Sequence, residues 1–301
     1  MSTQTHVTTH DDAQSLPSTD FAMLLVVVIW GANFSIVKAV LNEMPPLAFT
    51  AVRFVIGSVL LLAIVRLREA EVRLPRGSLW RLVWLGVVGN TLYQTCFILG
   101  LARTSAANSA LLLATMPIMV ALFSALLGLE RLTRNVVGGI VVAFSGITLV
   151  MVSRGVTLSW QTLGGDVLIL AAVFCWSVYT LGLRTLGDGF SSLHLTALTM
   201  LTGTPGLVLV GWPELLRIDW KDVSLVVWGA LAYSSVFALV IAYLLWNNSV
   251  RAVGGSRTAV YTCITPIIAA LIAWPLLGEQ PTLLQAGGAA LIIIGVLLAR
   301  R

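Results

Sequence analysis

The second half of this chain repeats a pattern of turn and helix signals found in its first half. An apolar run leads into a turn, and a second apolar run with closely spaced glycines follows. The residues that mark this pattern are Pro117, Glu130, Thr133, Gly138, Gly139 and Gly146, and 149 positions later stand Pro266, Glu279, Thr282, Gly287, Gly288 and Gly295. Backbone geometry restricts such positions, because a Thr caps a helix and glycines let helices touch. We therefore predict two copies of one structural unit.

The repeat extends towards the amino terminus with a slightly different offset. Asp20, Trp30, Lys38 and Gly57 recur 146 positions later as Asp166, Trp176, Arg184 and Gly203. One short insertion between the two groups explains the change of offset. We predict a disordered cytoplasmic tail over 1–19, a first unit over 20–152, a linker over 153–165 and a second unit over 166–301.

Composition decides the environment of these units. The chain is 58% hydrophobic and only 10% charged, whereas soluble domains carry about 25% charged residues. It is therefore predicted to lie in a lipid bilayer. The net charge of +5 does not indicate a nucleic-acid partner, because the basic residues stand at the ends of apolar runs. Cys96, Cys175 and Cys263 are scattered inside those runs, so we predict no disulfide, no metal site and no cofactor.

The chain contains ten apolar runs that approach the length of about 20 residues needed to cross a bilayer. They are 21–41, 47–65, 79–101, 107–127, 136–152, 165–183, 193–211, 225–247, 258–277 and 283–299. The predicted fold is an all-α membrane protein with ten transmembrane helices. Each unit has an odd number of helices, so the second unit enters the membrane from the opposite side. Two inverted five-helix repeats of this kind are common in secondary transporters.

The basic residues predict the orientation of the bundle. One face carries Arg66, Arg68, Arg73, Arg76, Arg81, Arg131, Arg134, Arg184, Arg251, Arg257, Arg300 and Arg301. The other face carries Lys38, Arg103, Arg154, Arg217 and Lys221. Cytoplasmic loops carry the excess of Lys and Arg, so both termini are expected in the cytoplasm. The protein itself is expected in the cell inner (plasma) membrane.

Short motifs resemble those of the EamA-type transporters of the drug/metabolite transporter superfamily over nearly the whole chain. In the first unit they are Trp30-Gly31, Asn33-Phe34, Arg53-Phe54, Thr104-Ser105-Ala106, Pro117 and the Glu130/Thr133 turn. In the second unit they are Val253-Gly254-Gly255-Ser256, Pro266, Gly278-Glu279 and the glycine-rich last helix. One departure is that Leu129 precedes Glu130 where the second unit has Gly278. The resemblance implies a ten-helix bundle with both termini inside, in which helices one to four and six to nine surround a cavity.

Polar and aromatic residues at helical spacing predict the lining of that cavity. The candidates, which share helix faces within symmetry-related helices, are Trp30, Asn33, Asn90, Tyr93, Gln94, Trp176, Tyr179, Tyr243, Trp246, Asn247 and Tyr261. Polar groups in a membrane span favour the bundle interior. The alternative is that the Trp and Tyr residues form interfacial belts and that the Asn and Gln residues join helices.

Arg53 is the one charge predicted well inside a span. It lies about 10 Å from the predicted start of helix two at 1.5 Å per residue. It either extends to the outer surface or faces the cavity, where a guanidinium suits a substrate carboxylate or carbonyl groups. Its counterpart by the 146 offset is Thr199, so the repeat is broken at this position.

Other marked residues have predicted structural roles. Pro117 and Pro266 are mid-helix prolines that act as a hinge or a static kink. Glu130 and Glu279 precede Thr133 and Thr282, which are expected to cap the following helices. The glycines of helices five and ten serve close packing, within the chain or in a homodimer.

These observations favour a secondary active transporter that exports small organic metabolites, such as amino acids or hydrophobic and cationic compounds, by alternating access. A channel or facilitator is the alternative. A membrane-embedded enzyme is disfavoured, because the sequence shows no paired-carboxylate, Ser/His/Asp or His-rich arrangement. No nucleotide-binding Gly-Lys-Ser/Thr loop is present either.

Overall fold

The computed structural model describes residues 12–68, 79–103, 109, 112–129, 132–153, 163–186, 191–265, 267–268, 271 and 283–300. Within these ranges the chain is helical, with short connections and no strand. Of the predicted hinge and cap residues, Glu130, Pro266, Glu279 and Thr282 lie outside the described ranges.

Among the described residues, the first half contains six α-helices and one π-helical segment. The α-helices are α1 (Asp12–Val40), α2 (Pro46–Arg68), α3 (Leu79–Gly86), α4 (Tyr93–Arg103), α5 (Met116–Leu126) and α6 (Arg134–Ser153). The π-helical segment Val87–Leu92 joins α3 to α4, so that 79–103 form one continuous span.

The second half follows the same order. Its α-helices are α7 (Leu163–Thr185), α8 (Ser192–Leu215), α9 (Leu225–Tyr233), α10 (Ala242–Val253), α11 (Gly255–Val260) and α12 (Leu283–Arg300). A second π-helical segment, Ser234–Ile241, joins α9 to α10, and a 3-10 turn, Tyr261–Ile264, follows α11.

Six helical spans among the described residues are long and apolar enough to cross a membrane. They are Thr19–Val37, Pro46–Arg68, Leu79–Arg103, Leu163–Leu183, Ser192–Leu215 and Leu225–Val253. Shorter apolar helices cover Met116–Leu126, Arg134–Leu149 and Ala286–Ala299. The protein is therefore an all-helical, multi-pass membrane protein.

Two predicted boundaries differ from the observed ones. The first helix begins at Asp12, whereas the sequence predicts disorder through residue 19. A helix anchored in the membrane extends readily beyond its apolar part, because each added residue gains a hydrogen bond without a new nucleation step. Pro117 lies in the first turn of α5, after a turn at Ala114–Thr115, rather than within a continuous helix. A proline at this position sacrifices no intrahelical hydrogen bond.

The helices pack in pairs that match the two offsets. α2 packs against α8 and α6 against α12, and each of these two pairs joins helices at equivalent positions of the two halves. α5 also packs against α11 of the second half. The contact of α1 with α10 likewise corresponds to that of α7 with α4. Every such contact joins the first half to the second.

Side chains at equivalent positions also contact each other directly. The hydroxyl groups of Ser58 and Thr204, which are 146 residues apart, lie within 2.7 Å. Gln94 Nε2 donates to the hydroxyl oxygen of Tyr243, 149 residues away, over 3.1 Å. Two equivalent residues can touch only where the two halves meet, so these pairs mark the centre of the bundle.

The glycines of the last helix of each half permit a close approach of the two backbones. A Cβ placed on Gly139 would lie 2.5 Å from the Gly295 carbonyl oxygen, and one on Gly146 would lie 2.5 Å from that of Gly288. The backbones of α6 and α12 therefore touch within one chain. This use accounts for the glycines without a second copy of the protein.

A substitution at this crossing is expected to destabilise the protein. Gly139→Val should lower the apparent melting temperature in detergent. Its Cβ would meet the Gly295 carbonyl oxygen and the amide nitrogen and Cβ of Ala299, which have little freedom to move. Gly138→Ala on the same helix is the matched control, since its Cβ would meet the Leu298 Cδ2 atom at 3.4 Å, within reach of small adjustments. Equal melting temperatures for both variants would contradict the tight crossing.

Candidate functional site

Six aromatic side chains from four helices meet in the interior. They are Trp30 of α1, Tyr93 of α4, Trp176 and Tyr179 of α7, and Tyr243 and Trp246 of α10. We call this group the aromatic cluster. The sequence predicts all six as lining residues, and the helical spacing of each pair brings them to the same side.

Trp176 is the centre of the aromatic cluster. Its ring centroid lies 4.7 Å from that of Tyr93, 5.1 Å from that of Tyr243 and 5.2 Å from that of Tyr179. Trp30 and Trp246 follow at 5.8 and 5.6 Å. Most of these contacts are edge-on or tilted, which is the arrangement that aromatic quadrupoles favour.

Burial separates this cluster from the tryptophans of an interfacial belt. Trp176 and Trp246 are 1% and 0% exposed. The exposed tryptophans of the described ranges stand instead within two turns of a helical end, and they are Trp80, Trp84, Trp212, Trp220 and Trp228. The belt interpretation therefore applies to those five and not to the aromatic cluster.

The indole N–H groups of the aromatic cluster differ in whether they donate a hydrogen bond. Trp30 Nε1 donates to the Ala238 carbonyl oxygen, within the second π-helical segment, over 3.1 Å. The Nε1 atoms of Trp176 and Trp246 are buried and find no hydrogen-bond partner among the described residues. A buried donor without a partner costs roughly 1–3 kcal/mol. Two such donors side by side are suited to a ligand that accepts hydrogen bonds.

Arg53 of α2 lies beside the aromatic cluster. It is 2% exposed, its Nη2 donates to Gln94 Oε1 over 2.6 Å, and its Cζ lies 5.7 Å from the ring centroids of both Phe49 and Phe54. A side chain that extended to the outer surface would be exposed, so that alternative is wrong. Its Nε finds no partner among the described residues.

Gln94 connects Arg53 to the aromatic cluster. Its amide oxygen accepts from Arg53 and its amide nitrogen donates to Tyr243 Oη. The chain of hydrogen bonds thus crosses from α2 through α4 to α10. The sequence predicts both Gln94 and Tyr243 as lining residues. They are equivalent by the offset of 149, and this equivalence is the sequence signal for their contact.

A second polar group lies on the other side of Tyr179. Asn247 Nδ2 donates to Tyr179 Oη over 3.1 Å and to Thr196 Oγ1 over 2.7 Å. Asn90 Nδ2 donates to the Thr199 carbonyl oxygen over 2.9 Å. Thr196 is missed by the sequence reasoning, although its spacing of three from Thr199 places both on one helix face.

The other described candidates, Asn33, Tyr261 and Thr133, make separate hydrogen bonds. Asn33 Oδ1 accepts from Ser234 Oγ over 2.6 Å, and Tyr261 donates to Asp20. Thr133 Oγ1 accepts from the Val136 amide over 3.3 Å at the start of α6.

The described side chains of this interior are suited to binding a ligand. Within the described ranges, no three His, Cys, Asp or Glu side chains come together as a metal site. The interior offers aromatic faces, indole donors and one guanidinium. Such a set can bind an apolar molecule that carries a hydrogen-bond acceptor or an anionic group.

Proteins similar to this chain are named as transporters. The uncharacterized transporter YyaM of Bacillus subtilis (strain 168) is 30% identical over 286 residues, which cover 93% of this chain and 92% of the relative. An uncharacterized transporter of Archaeoglobus fulgidus is 31% identical over 284 residues, 93% and 96% of the two chains. The S-adenosylmethionine/S-adenosylhomocysteine transporter of Chlamydia trachomatis serovar L2 is 27% identical over 287 residues, 90% and 87% of the two chains.

A protein of known crystal structure has the same fold. It superposes with a TM-score of 0.79 over 94% of this chain and 96% of its own, at 20% sequence identity. The profile of the EamA-like transporter family matches residues 17–152 and again residues 163–301. The two matches together span nearly the whole chain, and this protein therefore belongs to the EamA-like transporter family.

Proposed function

We propose that this protein is a secondary active transporter that exports small organic metabolites by alternating access. Membership of the EamA-like family and the names of its relatives support a transporter with a small-molecule substrate. The observation that carries the finer proposal is the aromatic cluster with Arg53 beside it. It lies between helices of both halves, so relative motion of the halves would open it.

Inverted repeats would supply this motion. The family profile matches twice, with each match starting three residues before a predicted unit. The pairing of α2 with α8 and of α6 with α12 is the pattern expected of helices about a two-fold axis. The π-helical segments also correspond, because Val87–Leu92 shifted by 149 falls at 236–241.

The interior favours amphipathic substrates with a hydrogen-bond acceptor, such as amino acids and their derivatives. The aromatic faces would cover the apolar part, and the indole donors and Arg53 would hold the acceptor. The relative from Chlamydia is named for S-adenosylmethionine and S-adenosylhomocysteine, which are amino-acid derivatives with an aromatic base. Both compounds are therefore suitable probes, together with free amino acids.

Counterflow in proteoliposomes tests this proposal. Vesicles loaded with unlabelled S-adenosylhomocysteine or with an unlabelled amino acid mixture should accumulate the labelled compound transiently above its external concentration. A carrier produces this overshoot, because binding and reorientation couple the two fluxes. A channel would equilibrate the label without an overshoot, and conversion of the label to a product would indicate an enzyme.

Topology provides a second expected result. Both termini should report a cytoplasmic location and an insertion at the exposed Lys221 an external one, because the basic residues favour that orientation. The carboxylate of Glu214 accepts from the Leu47 and Ala48 amides over 2.8 and 2.9 Å, which places the end of α8 and the start of α2 on one side. Fusions to alkaline phosphatase and to green fluorescent protein check this. An external carboxyl terminus would contradict the inverted repeat.

A further inference from the structure

We propose that Gln94 occupies the place of a substrate carboxylate on Arg53, and that a bound carboxylate breaks the Gln94–Tyr243 contact between the two halves. This inference rests on the proposed transport function and specifies how the substrate is recognised. It also selects between the substrate classes compatible with an aromatic site, because it requires an anionic group and disfavours purely cationic compounds.

Arg53 carries a positive charge that is buried in the interior. The guanidinium is 2% exposed, and its described hydrogen-bond partner is the neutral amide of Gln94. The rings of Phe49 and Phe54 contribute cation–π attraction but no counter-charge. A buried charge with a neutral partner is costly, and a carboxylate would compensate it. The site is therefore complementary to an anion.

The geometry of the Arg53 guanidinium also suits a carboxylate. Nη2 and Nε lie on the same edge, which is the edge that binds the two oxygens of a carboxylate in parallel. Gln94 Oε1 occupies Nη2, whereas Nε finds no partner in the described part of the chain. A single amide oxygen thus accepts from one of the two donors on this edge, whereas a carboxylate would accept from both.

The side-chain amide of Gln94 moves as one rigid group. Its oxygen and nitrogen belong to one planar group, so a carboxylate that displaces Oε1 from Arg53 also moves Nε2 away from Tyr243 Oη. Gln94 lies in α4 of the first half and Tyr243 in α10 of the second half, at equivalent positions. Loss of this contact removes a hydrogen bond between the halves. Substrate binding is thereby linked to their separation.

Arg53 should make the site select acids over the corresponding amides and amines. An amino acid and its primary amide differ in the carboxylate alone among the groups that Arg53 would contact. A hydrogen bond to a charged group contributes about 1.5–3 kcal/mol, so the acid should bind about tenfold to hundredfold more tightly than the amide. Simple amines of the same shape should not bind, because Arg53 repels them.

Binding is measured on the purified full chain by thermal shift. The probes are S-adenosylhomocysteine, L-leucine and L-phenylalanine, each compared with its primary amide, and phenethylamine as the cation. We expect at least one acid to stabilise the wild type and its amide to have little effect. Stabilisation by the amide or the amine alone, or by none of the acids, would overturn the inference.

Two variants of Gln94 test the exchange itself. Gln94→Glu should raise the apparent melting temperature when Arg53 is present, because the new carboxylate accepts from both guanidinium donors. In an Arg53→Gln background it should lower the melting temperature, because the carboxylate then has no guanidinium to pair with. The same variant should no longer respond to acids. Gln94→Leu, which removes both contacts at similar volume, should bind acids more tightly than the wild type, since nothing has to be displaced.

Thr95→Val is the matched control, because Thr95 is the neighbouring residue of α4 and its hydroxyl makes no hydrogen bond to described residues. It should behave as the wild type in both measurements. A Gln94→Glu variant whose stability changes equally with and without Arg53 would overturn the exchange. Counterflow of any probe by the wild type, without the preference for acids, would reject this inference and leave the transport function standing.

Discussion

Arg53→Ala is expected to abolish transport while the protein still inserts into the membrane. The change removes the one cation that the described interior offers to a substrate acceptor. Insertion should not suffer, because a charge at the centre of a span costs about 2.5–3.5 kcal/mol or more. The loss of the Gln94 partner costs about 1–3 kcal/mol in the opposite direction. Counterflow in proteoliposomes and the yield of monodisperse protein measure the two effects separately.

Arg53→Lys refines this expectation. An ammonium keeps the positive charge but replaces the planar fork with a point charge, so we expect transport to be impaired substantially but not lost. Arg66→Ala is the matched control, since Arg66 lies in the last turn of the same helix and is exposed. Full transport by Arg53→Ala would show that this charge does not serve transport.

The second large effect is expected at Trp176. Trp176→Ala should strongly reduce transport, because it removes the ring that contacts five other members of the aromatic cluster. A cavity of this kind costs about 3–5 kcal/mol in soluble protein cores, so part of the effect would be structural. Trp30→Ala should reduce transport as well and also removes the hydrogen bond to Ala238.

Trp176→Phe separates recognition from packing. Because Trp176 Nε1 has no partner among the described residues, the exchange removes no protein hydrogen bond that the structure shows, and most of the aromatic packing remains. We expect near-normal stability together with reduced transport, measured by melting temperature and counterflow. Trp228→Phe is the control for an exposed tryptophan. Normal transport by Trp176→Phe would assign the ring to packing alone.

The membrane environment and the positions of most helices follow from the sequence. Lipid tolerates helices whose backbone hydrogen bonds close internally, so an apolar run of sufficient length is enough to predict a span. Thr19–Val37, Pro46–Arg68 and Leu225–Val253 coincide with such runs. The two offsets also follow from the sequence, because equivalent residues are found by comparing one half of the chain with the other.

Helical spacing further places the members of the aromatic cluster on inward faces, since a period of 3.6 residues determines which residues share a side. It does not determine which inward faces meet. That depends on the packing of α1, α4, α7 and α10 against one another, which involves residues far apart in the chain. The contact of Trp30 with Trp246 across 216 positions is of this kind.

Only the tertiary structure decides where the Arg53 side chain lies. The sequence leaves open whether its side chain reaches the outer surface, because a long flexible stem allows both directions. The packing of α2 against α8 and α4 buries it, and Gln94 becomes its partner. The π-helical segments are decided at the same level, since the residues of 87–92 and 234–241 carry no local signal against an ordinary α-helix. The sequence determines which residues can enter the interior, and long-range packing determines which of them meet there.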